Sequence, residues 1–267
     1  MEKFKYVDNR YEAINRVMGK IYTLQSKLNK DFNGEDWLST GISKRTNKNV
    51  AMGCATMDEA IELMNNIPWK HWDGKTDINW DNMVTECIDI LHFIPSIVED
   101  VYGAGGYITT PMSLCNLSYV IPMAEEMHCI ELEHTIRYNN DLTIEEHIII
   151  LSSLCSIVGT TYNLHKHVNK NYSKLIKDIQ ACLDYLFMFL EVNFDLTAED
   201  IFKKYLIKNT LNRFRKNNGY ADGTYNKMWD GIEDNDYIFT LVKDMDVEDQ
   251  DAMYDVMDKA YKSIFSL

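Results

Sequence analysis

Residues that interrupt helices are scarce in this sequence. Its 267 residues include only four prolines and twelve glycines. The long segments between them repeat apolar residues at spacings of three and four, which is the period of an amphipathic helix and not of a strand. No Asn-Gly or Asp-Gly pair lies between two alternating apolar runs, so we expect no β-hairpin. These absences predict an all-α fold.

Positive charge is also scarce. Lys and Arg total 27 against 41 Asp and Glu, which gives a formal net charge of −14 at pH 7. A protein that binds long nucleic acid neutralises phosphates with a basic surface, and this charge opposes such a surface. We therefore expect no nucleic-acid partner, whereas a small anion can still bind through a metal ion.

Long apolar runs and paired cysteines are missing as well. The chain has no uninterrupted apolar stretch of about 18 residues, and its first residues, MEKFKYVDNRYE, are charged, unlike a signal segment. The six cysteines stand singly and form no CxxC pair, so we expect free and mostly buried thiols. We predict a folded, soluble, cytoplasmic protein with no membrane partner.

The spacing of apolar residues and the capping signals predict where the helices lie. Thr143 and Glu146, for example, fit a capping box at the start of one helix. The polar segment 33–49 and the segment 216–235, which is dense in Asn, Gly and Asp, are predicted to be loops. Helices are expected at 11–30, 51–66, 79–101, 143–162, 172–193 and 196–215, and helical spacing returns over 237–267.

Two acidic pairs, Glu59 with Glu62 and Glu86 with Asp89, lie in two successive predicted helices. Residues three apart share a helix face, and two helices joined by a short loop normally pack as antiparallel neighbours. Four carboxylates on facing helices suit Mg²⁺ or Mn²⁺, which prefer oxygen ligands. Spacing alone favours solvated surface pairs equally well. The apolar neighbours of both pairs favour the metal site.

Four blocks of the sequence, in the same order along the chain, are similar to the dimeric dUTPases, a group of the all-α nucleoside triphosphate pyrophosphatases. The resemblance implies a helical bundle of that type and one domain over residues 1–267. The implied rigid core covers about 1–101 and 172–235, and a smaller mobile helical part covers about 102–171. The blocks are LQSKLN at 24–29, the acidic pair and WKHW within 59–72, ECIDILHF at 86–93, and KNTLNRFRKNNGYADGTYNKMWDGIEDN at 208–235.

The resemblance also assigns roles to individual side chains. It makes the four carboxylates Glu59, Glu62, Glu86 and Asp89 ligands of two or three Mg²⁺ ions, with Mn²⁺ as a substitute, and it makes Glu59 or Glu62 the general base. Contacts with the uracil base or the sugar fall to Gln25, Asn29, Asn212, His92 and Phe93, and Trp69 lies in a matching block. Contacts with phosphate fall to Lys208, Arg215, Tyr220 and Lys227, with Asn218 in the same loop.

The activity that the resemblance implies is hydrolysis of dUTP, and of dUDP, to dUMP by attack of water on the α-phosphorus in a homodimer. Three alternatives remain open on the residues. The substrate could be dCTP or both pyrimidine nucleotides, because Gln and Asn amides can present either a donor or an acceptor. The protein could be a MazG-like enzyme of broad range, although that would not need the block at 208–235. It could also be a non-catalytic helical regulator that binds partner proteins through its acidic surface.

Overall fold

A computed structural model describes residues 2–105, 142–168, 172–246 and 248–266 of the chain, and most of these residues are helical. The predicted all-α class is confirmed. The predicted mobile part lies partly outside the described residues and stays a prediction. The helices are α1 (Glu2–Asn33), α2 (Trp37–Thr40), α3 (Met52–Met64), α4 (Trp80–Gly105), α5 (Ile144–His167), α6 (Tyr172–Phe194), α7 (Ala198–Asn217), α8 (Asp234–Leu241) and α9 (Gln250–Phe265).

These elements form two compact units. The first unit comprises Met1–Thr23 and Ala51–Ala198, and the second comprises Leu24–Val50 and Glu199–Leu267. The chain passes between the units at three points: inside α1, between Val50 and Ala51 just before α3, and after the first residue of α7.

In the first unit, α3 packs against α4 and α5, and α5 packs against α6. Two glycines allow α3 and α5 to approach closely. A Cβ atom placed on Gly53 would lie 2.7 Å from the carbonyl oxygen of Gly159, closer than real Cβ contacts come. The side chains between these helices are apolar and fully covered; they include Leu63, Met83, Ile90, Leu91, Leu151, Val158, Leu186 and Phe189.

The first turn of α5 has the capping box that the sequence predicts. The Glu146 backbone N–H donates to Thr143 Oγ1 over 3.3 Å, and the Thr143 N–H donates to Glu146 Oε2 over 2.8 Å. Among the described residues, α5 is also a helix long and apolar enough to cross a membrane. Half of its apolar window is buried inside the protein, and core helices of soluble proteins pass the same test.

The second unit is built on α7 and an aromatic cluster around Phe214. The Tyr225 and Tyr261 rings stack at 5.4 Å with 11° between their planes, and the Trp229 ring lies 5.6 Å from that of Phe214. Tyr261 belongs to α9, so this helix is anchored on the segment that follows α7. The cluster thereby fixes the path of residues 219–235.

Two short antiparallel hairpins correct the sequence-based prediction of plain loops. The first pairs β1 (Ile42–Ser43) with β2 (Lys48–Asn49), and the second pairs β3 (Met228–Trp229) with β4 (Ile232–Glu233). Asp230 and Gly231 turn the second hairpin, with φ angles of 51° and 81°, as a type I′ turn requires. The prediction was wrong because strands of two residues are too short to produce a detectable alternation.

The four described cysteines are free, as predicted. Cys87, Cys155 and Cys182 are buried and Cys54 is exposed. Burial raises the pKa of the Cys87 thiol well above its ordinary value, so this thiol is unreactive. Cys115 and Cys129 lie outside the described residues.

Candidate active site

Three of the four predicted metal ligands converge in the first unit. Glu59, Glu62 and Glu86 each place one carboxylate oxygen within 4.8 Å of the others. Glu86 is buried, Glu59 is half-buried and Glu62 is exposed. The site therefore has one side set in the core and one side open to solvent.

Two asparagines link the end of α3 to the first turn of α4 beside this carboxylate cluster. The side-chain amide of Asn66 donates to the Glu62 carbonyl oxygen over 3.0 Å and so caps the end of α3. The amide of Asn82 on α4 donates to Asn66 Oδ1 over 3.2 Å and to Glu86 Oε1 over 2.5 Å. Neither residue was predicted from the sequence, although Asn82 lies four positions before Glu86 and so shares its helix face.

Asp89 lies one turn beyond Glu86 on α4 and is half-buried. It is outside the group of carboxylate oxygens that come within 4.8 Å of one another, so its predicted part in the metal site stays a prediction. The donor set of the other three is all oxygen and anionic, which fits a hard divalent cation such as Mg²⁺. Their mutual repulsion costs free energy that such a cation would offset.

The nucleoside-side residues predicted for the first unit lie on α4 and in the α3–α4 loop. His92 is buried, and its Nδ1 lies 2.9 Å from the Ile88 carbonyl oxygen. Because a carbonyl only accepts, His92 Nδ1 carries a proton and donates it to Ile88. Phe93 is half-buried on the same helix.

Trp69 lies in the loop that connects α3 to α4. It is half-buried, and the Lys70 ammonium lies 5.4 Å from its ring centroid. Trp69 lines a cavity of about 230 Å³, whose other walls are formed by Asn65, Ile67, Pro68, Lys70, Asp73 and Lys75. The structure therefore gives Trp69 an accessible face and does not place it wholly in the core.

In the second unit, the two predicted base-reading amides are in direct contact. Gln25 Nε2 donates to Asn29 Oδ1 over 3.0 Å, and both side chains are 4% exposed. The Tyr205 hydroxyl donates to Gln25 Oε1 over 2.8 Å. Burial raises the pKa of the Tyr205 phenol, which therefore keeps its proton at neutral pH.

The predicted phosphate-binding cations of α7 are held by the residues that follow the second hairpin. Arg215 forms a two-pronged ion pair with Asp234, over 2.8 Å from Nε and 2.6 Å from Nη2. Asn235 Oδ1 accepts from Lys208 Nζ over 3.0 Å and from Arg215 Nη2 over 3.2 Å. Asn212 Oδ1 lies 3.5 Å from Arg215 Nη1. The structure thus brings Lys208, Asn212 and Arg215 together, and their predicted roles at the substrate stay predictions.

Tyr220 and Lys227 join this group, which we call the cationic cluster: Lys208, Arg215, Tyr220 and Lys227. The Tyr220 ring is exposed, with Arg215 Cζ 5.8 Å and Lys227 Nζ 5.5 Å from its centroid. The Lys227 carbonyl accepts from the Asp234 N–H over 2.8 Å.

Asn218 also has a structural contact, because its amide donates to the Phe214 carbonyl over 2.9 Å at the end of α7. Its predicted role at the substrate stays a prediction. Asp234 and Asn235 were not predicted to have a role, although both lie within the block at 208–235.

Comparison with known proteins places this arrangement in a family. No curated protein matches the chain. A family model described as dUTPase matches residues 17–220, a range that contains the carboxylate cluster, the buried amides and most of the cationic cluster. The chain therefore belongs to the all-α dimeric dUTPase family, and its activity is the hydrolysis of dUTP.

Proposed function

We propose that the protein hydrolyses dUTP to dUMP and pyrophosphate by attack of water on the α-phosphorus, in a reaction that requires Mg²⁺. The observation that supports this proposal best is the approach of Glu59, Glu62 and Glu86 to within 4.8 Å in a chain of the dUTPase family. By the same chemistry dUDP yields dUMP and phosphate.

The carboxylates of Glu59, Glu62 and Glu86, with Asp89, would hold two or three Mg²⁺ ions, and Mn²⁺ can replace them. When bound, such ions neutralise charge on phosphate oxygens and lower the pKa of water. Glu86 is buried and hydrogen-bonded by Asn82, which suits a fixed ligand. Glu62 is exposed, so its carboxylate is the one that can accept a proton from the attacking water.

The cationic cluster would bind the phosphate oxygens. Negative charge accumulates on the leaving pyrophosphate, and the cations Lys208, Arg215 and Lys227 offset that charge. Gln25, Asn29 and Asn212 would read the uracil edge. His92 and Phe93 would contact the deoxyribose and base, with Phe93 packing close to the 2′ carbon so that ribose is rejected.

We also propose that the protein works as a homodimer in the cytoplasm. The resemblance to dimeric dUTPases supports the homodimer. The scattered free cysteines support a reducing compartment. Sedimentation equilibrium measures the mass of the assembly directly. A mass of one chain at all concentrations would exclude the dimer.

A substrate panel tests the proposed reaction. Release of pyrophosphate is measured with dUTP, dCTP, dTTP and UTP in the presence of Mg²⁺. We expect dUTP to be turned over fastest, since amides that hydrogen-bond one base edge reject a base whose donors and acceptors are reversed. Faster turnover of dCTP than of dUTP would replace this proposal with a dCTP pyrophosphatase.

A further inference from the structure

A continuous line of hydrogen bonds in the second unit runs from α9 to the base-reading amides. Gln250 Nε2 donates to Asn209 Oδ1 over 3.3 Å, and Asn209 Nδ2 donates to the Tyr205 hydroxyl oxygen over 3.3 Å. From there the line continues through Gln25 to Asn29, as described above. We call these five side chains the relay: Gln250, Asn209, Tyr205, Gln25 and Asn29.

The direction of the relay is set at one end by a threonine. Thr210 is fully buried, and its hydroxyl lies 2.9 Å from the Leu206 carbonyl oxygen. The hydroxyl must donate its only proton there, because a carbonyl has none to give. Thr210 Oγ1 can therefore only accept from Gln250, which lies 3.0 Å away and must turn its NH₂ group toward α7.

Every later member of the relay follows from that orientation. The two Gln250 Nε2 protons go to Thr210 Oγ1 and Asn209 Oδ1, so the Asn209 NH₂ faces Tyr205. Tyr205 has one hydroxyl proton and has already accepted from Asn209, so it donates to Gln25 Oε1. Gln25 then turns its NH₂ to Asn29 Oδ1, and the group that Asn29 directs away from the relay is its own NH₂.

We propose that the relay determines substrate specificity. Gln250, Asn209 and Tyr205 are positioning residues that fix which end of the Asn29 amide, NH₂ or oxygen, is directed away from the relay. This inference rests on the proposed function. An NH₂ group directed at the 4-position of a pyrimidine donates a hydrogen bond to the carbonyl of uracil. Cytosine has an amino group at that position, which is also a donor, so no hydrogen bond forms. With its NH₂ group held in this orientation, Asn29 favours dUTP over dCTP. If the amides could rotate freely, Asn29 could hydrogen-bond either base.

The proposal is tested by a substitution at Gln250 that reverses the direction of the hydrogen bonds along the relay. In Gln250→Glu, an ionised carboxylate can only accept, so Asn209 must turn its NH₂ to residue 250 and the donor order reverses as far as Asn29. Gln250 is the first residue of α9, where an acidic side chain is favourable, so we expect the variant to fold. The ratio of kcat/KM for dUTP to that for dCTP should fall by about tenfold or more, with dCTP turnover rising.

Two further variants complete the test. Gln180→Glu on α6 adds the same charge at a half-buried position in the first unit and should leave the ratio unchanged. Tyr205→Phe interrupts the relay and keeps the ring, so the ratio should fall toward one without inverting; it decides the question if Gln250→Glu fails to fold.

Each outcome has a separate meaning. An unchanged dUTP-to-dCTP ratio in folded, active Gln250→Glu and Tyr205→Phe proteins would overturn the relay proposal alone. A wild-type preference for dCTP would overturn both the relay proposal and the choice of dUTP as the substrate. Absence of turnover of both nucleotides by the wild-type protein would instead overturn the proposed function.

Discussion

At the scale of single residues, burial separates side chains of the same chemistry into different roles. Glu62 and Glu86 belong to one cluster, yet Glu86 is 6% exposed and held by Asn82 whereas Glu62 is open to water. Arg215 was predicted only as a phosphate ligand, yet its ion pair with fully buried Asp234 also gives it a structural role.

Glu62→Gln should lower kcat for dUTP by about 10²–10⁴, because the amide can neither accept the proton from water nor carry the charge that a divalent cation needs. The measurement is steady-state pyrophosphate release. Asp58→Asn is the matched control, since Asp58 is exposed on the same helix and outside the carboxylate cluster. Full Mg²⁺-dependent activity in Glu62→Gln would show that the catalytic assignment is wrong.

Asp234→Ala should lower the free energy of unfolding by about 3–5 kcal/mol, because it leaves the buried Arg215 guanidinium without its counter-ion. The Tyr225 hydroxyl, which donates to Asp234 Oδ2 over 2.7 Å, also loses its partner. Urea unfolding measures the change. Exposed Asp236→Ala serves as the control and should cost less than about 1 kcal/mol. Equal losses in both variants would contradict a structural role for the ion pair.

At the scale of elements, the contact between α3 and α5 depends on a small residue on each helix. Gly53→Ala should destabilise the protein by about 1–3 kcal/mol, since its Cβ would meet Asn163 Oδ1 at 2.5 Å and the Gly159 carbonyl at 2.7 Å. Gly19→Ala on α1 is the control, because nothing lies within 4 Å of its added Cβ. The control should be neutral or stabilising by about 0.5–1 kcal/mol. A neutral Gly53→Ala would contradict the close helix contact.

The contact between α5 and α6 should make stability depend on pH. His147 Nδ1 lies 2.9 Å from the Tyr185 hydroxyl, and burial lowers the pKa of His147 below its ordinary value of 6.5. Below pH 6.5 the unfolded chain therefore binds a proton that the folded chain does not, so stability is lost as the pH falls from 6.5 through the folded-state pKa.

Urea unfolding at pH 7.5 and 5.5 checks this expectation. His147→Gln should reduce the loss of unfolding free energy between the two pH values, whereas His167→Gln, at an exposed position on the same helix, should leave the loss unchanged. If both variants keep the wild-type pH dependence, burial of His147 is not its cause.

At the scale of the whole molecule, the helices and the carboxylate cluster could be predicted from sequence, because both follow from local periodicity and from the packing of consecutive helices. The hairpin at Asp230 and Gly231 was missed because two-residue strands carry no periodic signal. The relay could not be predicted, since Asn209 and Gln250 occupy ordinary helical positions and meet only after α7 and α9 have packed. The Arg215–Asp234 pair was also missed, because it joins residues 19 positions apart across a segment that was predicted to be a loop.

Our main proposal is that Glu59, Glu62 and Glu86 bind the divalent cation on which dUTP hydrolysis depends. Its most direct test is dUTP turnover by chelator-treated protein titrated with Mg²⁺, with pyrophosphate release as the signal. We predict no turnover without metal and a saturable return of activity as Mg²⁺ is added, with Mn²⁺ able to substitute. Undiminished turnover in the presence of excess chelator would contradict the account.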